Sequence, residues 1–333
     1  MRHNFYKIFR DYKEISLRYD PGHRAVWCYY NPTARPCFSL TMLEELLQMQ
    51  KEFMECFNTR KADANSLFRY FVLHSQIPEV FNLGGDLALF STLIREKKRS
   101  LLRDYARQCV KICYLNAVNL HLPLTTISLV EGVALGGGFE SALSSNVLIA
   151  TENAEMGFPE IRFNLFPGMG AYSLLARRCG MVTADKIIES GITYNAKLLY
   201  KMGVVNDLAE TGNGLAHVEK FMRRHQQTGN GHRALQQVRQ RYHPIDHQEL
   251  IDITEIWVDA ALRLDEKDLR LIDRLVRAQS KKISSQRKRG QYPLRTSQDR
   301  RFLADNISFP LSDWAGKTVL FDRRNHPERR IFN

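Results

Sequence analysis

Residues 130–140 read VEGVALGGGFE, and no other stretch limits the fold more. Three glycines in a row weaken any strand or helix interior, because glycine loses more backbone freedom on ordering than other residues. They suit a place where the chain turns sharply or where another group must come close. Here they stand between 126–130, a short apolar run that reads as a strand, and 139–144, which reads as a helix. A second cluster, FNLGGD at 81–86, precedes another expected helix at 87–94. Neither cluster contains G-x-G-x-x-G or G-K-[ST], so neither is a phosphate-binding fingerprint. Glycines just before a helix leave backbone N–H groups open to a ligand oxygen, and the helix dipole reinforces them. Two such N–H groups converging from separate loops make an oxyanion hole. Each cluster taken alone reads as a turn.

The rest of the chain alternates. Segments 24–30, 70–73, 126–130 and 147–150 read as strands, and 41–59, 87–94, 100–119 and 139–144 as helices. On the first helix Leu43, Leu46, Leu47, Phe53, Met54 and Phe57 form a stripe in which Gln50 is the polar gap. Such alternation implies an α/β fold with a largely parallel sheet. Beyond Gly203 the pattern turns helical, over 215–225, 233–242, 250–264 and 267–278. Three regions follow: a core over 1–203 opened by a polar lead-in at 1–23, a helical region over 204–280, and a basic tail over 281–333. No internal repeat is present.

No apolar run approaches the ~20 residues of a membrane-spanning helix. The six cysteines are scattered, and Cys109 and Cys113 share a helix face without a second ligand pair, so they read as buried thiols of a reducing, cytoplasmic protein. His243 and His247 are interrupted by Pro244 and lack a third ligand, so no metal is expected. The net charge is +12, but residues 281–333 hold 13 Lys and Arg against 5 Asp and Glu, a surplus of eight. The basicity therefore belongs to the tail, with 281–301 expected to be flexible. No nucleic-acid motif accompanies it, and a solvated interaction tail is the reading.

A third element follows the glycine run in order: MGFPEI at 156–161, then FPGMG at 166–170. Together these three segments resemble the crotonase (enoyl-CoA hydratase/isomerase) superfamily, and the likeness runs from about Leu17 to Gln279. It implies a ββα spiral core with a C-terminal helical oligomerisation region. By resemblance, Glu140 and Glu160 stand at the paired catalytic carboxylates, and Leu83 and Gly137 at the two oxyanion-hole amides. Leu83 replaces the family's usual small residue. Gly84, Leu135, Gly136, Met169, Trp257 and Leu275 are the candidates for the substrate pocket, although such residues serve equally as ordinary core.

Segments 81–90 (FNLGGDLALF), 163–178 (FNLFPGMGAYSLLARR), 254–259 (TEIWVD) and 273–279 (DRLVRAQ) are similar to one branch, the diffusible signal factor synthases. That branch implies dehydration of a 3-hydroxyacyl thioester to a cis-2-enoyl thioester, and hydrolysis that releases an unsaturated fatty acid signal. The alternative is a housekeeping enoyl-CoA hydratase or isomerase. A non-enzyme reading is a scaffold that binds a sensor kinase. The resemblance further implies a substrate carried on the phosphopantetheine of acyl carrier protein or on coenzyme A, no other cofactor, a trimer whose 250–278 helices pack on neighbouring subunits, and a sensor-kinase receiver domain as partner.

Overall fold

Strands of five or six residues, closed at one edge by a three-residue strand, build the larger of the two sheets within residues 1–282, and three-residue strands build the smaller. The structure, a computed structural model, describes residues 8–31, 33–58, 68–289, 311–312 and 318–319. The chain begins with β1 (Ile15–Asp20), β2 (Ala25–Tyr30), α1 (Leu40–Asn58), β3 (Tyr70–Ser75), β4 (Val80–Asn82), α2 (Leu87–Arg95) and α3 (Arg99–Ala117). The centre holds β5 (Thr125–Val130), β6 (Val133–Leu135), α4 (Gly137–Leu143), β7 (Val147–Thr151) and β8 (Glu155–Gly157). Then come α5 (Ala171–Cys179), α6 (Met181–Ser190), β9 (Thr193–Asn195), α7 (Ala196–Lys201) and β10 (Asp207–Ala209). Helices α8 (Gly214–Gln227), α9 (Gly229–Tyr242), α10 (His247–Leu262) and α11 (Glu266–Arg289) complete the main body.

The large sheet has the order β1-β2-β3-β5-β7-β10, antiparallel only between β1 and β2. Strands β2 and β5 are buried along their whole length. This is the expected pattern for parallel strands covered on both faces. The small sheet has the order β4-β6-β8-β9, with β9 antiparallel. Successive turns give one strand to each sheet: β3 then β4, β5 then β6, β7 then β8. The turns stack in the same order in both sheets, which makes a spiral of the crotonase type. Gln50, the polar gap on α1, is buried and donates from Nε2 to Ile112 O at 3.2 Å.

Three expectations are corrected. Residues 1–23 are not only a lead-in, because 15–20 pair with β2 as an edge strand. The core extends beyond 203, since β10 joins the large sheet. Helix α11 runs to Arg289, so 281–289 are helical; Lys, Arg and Gln are good helix formers even without apolar residues. The helices over 250–278 also pack an apolar face on their own chain. Trp257, Val258, Ala261, Leu269 and Ile272 cluster with Leu93, Ile94, Leu102 and Ala106 of α2 and α3. Ion pairs rim that contact: Arg95 with Asp273 at 2.8 Å and Glu266 at 3.1 Å, Arg107 with Glu255 at 2.7 Å, and Arg99 with Asp259.

Residues 1–282 form one unit and 283–333 another, in which Leu311–Ser312 pairs antiparallel with Thr318–Val319. The expected flexibility of 290–301 lies outside the described residues.

Candidate active site

The glycine run delivers α4 directly off β6. Gly136 has φ +51°, a left-handed conformation that favours glycine, and its carbonyl accepts from the N–H groups of Phe139 at 2.9 Å and Glu140 at 3.0 Å. The Gly137 N–H belongs to the first turn and has no acceptor among the described residues. Glu140 lies three residues on, hence on the same helix face. It is 1% exposed, and its Oε1 accepts from the backbone N–H of Met169 at 2.7 Å and of Ala171 at 2.9 Å. Burial pushes its carboxyl up to about 7, and the two amides oppose that rise.

Glu160 opens a 3-10 turn, Glu160–Phe163, directly after Pro159. Its Oε2 is buried and has no hydrogen-bond partner among the described residues. Burial, and then the charge of Glu140, raise its carboxyl to about 8. The two acids thus share one site, and burial favours the protonated form of both.

The oxyanion assignment at Leu83 is corrected. Its N–H donates to Pro36 O at 2.7 Å, and the Gly84 N–H donates to Asn82 Oδ1 at 2.8 Å. The next amide, Gly85, has no acceptor among the described residues. A methyl group added at Gly137 would lie 3.4 Å from Gly85 N, so these two loops meet. Gly84, at φ +92°, permits the approach: a methyl there would stand 2.9 Å from Gly137 N. The pair of free amides is therefore Gly85 and Gly137. Their loop is pinned by Tyr105, whose hydroxyl accepts from Asp86 N–H at 3.0 Å and donates to Phe38 O. Asp86 also pairs with Arg35 and caps α2 by accepting the Leu89 N–H at 3.3 Å.

A cavity of about 300 Å³ opens between these groups. Glu140, Glu160, Leu83, Gly137, Gly84, Leu135, Gly136, Met169, Trp257 and Leu275 all line it. So do Phe90, Tyr105, Phe163, Leu165 and Ile272, which the sequence did not single out. Their helical spacing matches any core residue, so only the fold separates them. Phe90 makes edge contacts with Tyr105 at 5.0 Å and Trp257 at 5.2 Å between ring centroids. Trp257 lies against Gly168, where an added methyl would meet the indole at 2.4 Å. Arg162 is the single cation on the wall among the described residues.

His243 and His247 do not converge on a ligand set, and no group of three or more His, Cys, Asp or Glu is placed to hold a metal ion among the described residues. Cys109 and Cys113 are buried free thiols on α3. No helix among the described residues is long and apolar enough to cross a membrane.

The profile of the enoyl-CoA hydratase/isomerase family matches residues 31–256. An enoyl-CoA isomerase/hydratase of Mycosarcoma maydis is 28% identical over 179 residues, 54% of this chain and 62% of that protein. The mitochondrial methylglutaconyl-CoA hydratase of Homo sapiens is 29% identical over 142 residues, 43% of this chain and 40% of the relative. The matched part thus spans less than two thirds of these relatives. Among solved structures, an enoyl-CoA hydratase/isomerase of Xanthobacter autotrophicus Py2 superposes with TM-score 0.63 at 20% identity, covering 88% of this chain and all of that one. The enoyl-CoA hydratase of Bacillus halodurans gives TM-score 0.63 at 16% identity, over 78% and 98%. With the profile spanning most of the chain, this protein belongs to the enoyl-CoA hydratase/isomerase family.

Proposed function

We propose that the protein adds water to, or removes it from, an acyl thioester, interconverting 2-enoyl and 3-hydroxyacyl groups through Glu140 and Glu160. The observation that carries this reading is the pair of buried carboxyls beside two free amides in one cavity. The thioester carbonyl accepts from Gly85 and Gly137, and the enolate-like charge that develops is held there. Loss of one such donor costs roughly 100- to 1,000-fold in rate. In the hydration direction, Glu140 is the carboxylate, steadied by two amides, and takes a proton from water as its oxygen attacks C3. Glu160, whose buried Oε2 has no hydrogen-bond partner among the described residues to steady a charge, carries the proton and delivers it to C2. Dehydration retraces both steps, with the roles exchanged.

The substrate is a medium or long acyl chain. Support comes from the wall of Phe90, Trp257, Phe163, Ile272 and Leu275, where the only charged groups among the described residues are the two acids and Arg162. The carrier is coenzyme A or the phosphopantetheine of acyl carrier protein.

A second reading adds thioester hydrolysis and release of a cis-2-unsaturated signal acid, with a sensor-kinase receiver domain as partner. It is favoured by the segments at 81–90, 254–259 and 273–279, which place Phe90, Trp257 and Leu275 around the cavity. Assembly as a trimer is supported by the exposed Leu235 and Val238 of α9, which lie outside the cavity between that helix and the body. Purified protein would be given 3-hydroxydodecanoyl groups on acyl carrier protein and on coenzyme A, with products read by mass spectrometry. Enoyl thioester is expected. Free enoic acid would favour the second reading, and no conversion with either carrier would refute both.

A further inference from the structure

Helix α9 stands off the body. It has no buried residue, and Gln236 Nε2 ties it to Asn146 Oδ1 at 2.6 Å. Between α9 and the body opens a cavity of about 950 Å³, apart from the site described above. Arg177, Arg178 and His121 line the body side, and Arg233, Arg239 and His243 the other. No Asp or Glu is among its lining residues. Glu249 neutralises Arg177 at 2.7 Å, but the others lack such relief among the described residues.

Arg178 donates only to neutral oxygens: Leu143 O at 3.0 Å, Val204 O at 3.3 Å, Asn206 Oδ1 at 2.9 Å, and Ser145 O. Burial and the neighbouring Arg239 pull its pKa down to about 10. Arg233 and Arg239 make no hydrogen bond or ion pair among the described residues. Like charges facing one another across a concavity repel, and the low-dielectric walls focus their field onto any anion that enters.

Two further observations narrow its chemistry. Asn119 lines the cavity, and its buried Oδ1 has no partner among the described residues. Leu122, Leu124, Leu174 and Ile245 supply an apolar wall. The volume lies within the roughly 300–1,000 Å³ of small-molecule sites.

We propose that this cavity is a second binding site, for a nucleoside phosphate: Arg233, Arg239 and the field of Arg178 take the phosphates, the apolar wall takes the base, and Asn119 Oδ1 accepts from an amino group on it. The nucleotide is either free or the nucleotide part of coenzyme A.

Titration calorimetry on the full chain tests this with ADP, coenzyme A and inorganic pyrophosphate, at low and high salt. ADP is expected to bind, more weakly at high salt, and pyrophosphate at least about tenfold more weakly than ADP, since it lacks the base. The double variant Arg233→Ala/Arg239→Ala should weaken ADP at least about tenfold while leaving basal turnover unchanged. A second equivalent of coenzyme A, lost in that variant, would assign the site to the carrier's nucleotide; ADP binding without that equivalent would assign it to free nucleotide. The proposal is overturned if ADP does not bind, if the double variant binds it equally well, or if pyrophosphate equals ADP. It also fails if the variant changes only the oligomeric state, because acids of a second copy would then be what covers the arginines.

Discussion

A methyl group on Gly136 would stand 2.2 Å from Glu160 Oε1, so the first glycine of the triplet is also the seat of the site's second carboxyl. Gly136→Ala should displace that carboxyl and strain a residue at φ +51°. We expect turnover to fall at least about 100-fold and stability to drop by roughly 1–3 kcal/mol. Turnover and thermal melts measure both, and wild-type turnover would mean that Glu160 tolerates displacement.

Glu140→Gln and Glu160→Gln keep shape and remove the titratable group. Each should lower kcat by roughly 100-fold or more, with circular dichroism unchanged. If both variants turned over normally, the paired-carboxyl mechanism would be wrong.

Hydration needs Glu140 ionised and Glu160 protonated. The rate should therefore rise as pH climbs through about 7 and fall as it passes about 8. Glu160→Gln should abolish rather than shift this bell.

The same two groups make stability depend on pH. Both bind protons more tightly when folded than when unfolded, where the ordinary value is 4.5. Their stabilising contribution is complete below 4.5 and is lost as pH rises through the folded values. Glu160→Gln should thus be more stable than wild type at pH ~8.5, by on the order of 1–2 kcal/mol, and no more stable at pH ~4.5. Denaturant melts at both pH values check the sign.

Phe90 leans on Gly85, where an added methyl would meet its ring at 2.6 Å, and it contacts Tyr105 and Trp257 across the cavity. Phe90→Ala should widen the acyl space and move the preference towards longer or branched chains. We expect a change of roughly tenfold in the kcat/KM ratio of long to short substrates. An unchanged ratio would remove Phe90 from the specificity wall.

Removal of 283–333 should leave turnover on free acyl-coenzyme A within about twofold, because the cavity residues named all lie between Leu83 and Leu275. Collapse of turnover would show that the tail helps to complete the site.

Much of this protein is legible as local chemistry. Long apolar runs mark β2, β3, β5 and β7, because buried parallel strands need no alternation. The glycine triplet marks the start of α4, and the spacing from Gly137 to Glu140 puts an amide and an acid on one face. What the sequence hides depends on distant partners. Strands β4, β6, β8 and β9 are three residues each, too short to carry a period, and exist only through pairing across the spiral. Gly85 rather than Leu83 holds the free amide because Pro36 O and the Asn82 side chain claim its neighbours. A backbone N–H looks the same at every position, and which one stays open is decided by where the acceptors land. Both arginines that line the second cavity from α9 read as ordinary surface charge. Only the fold brings them opposite Arg178 with no acid among the lining residues.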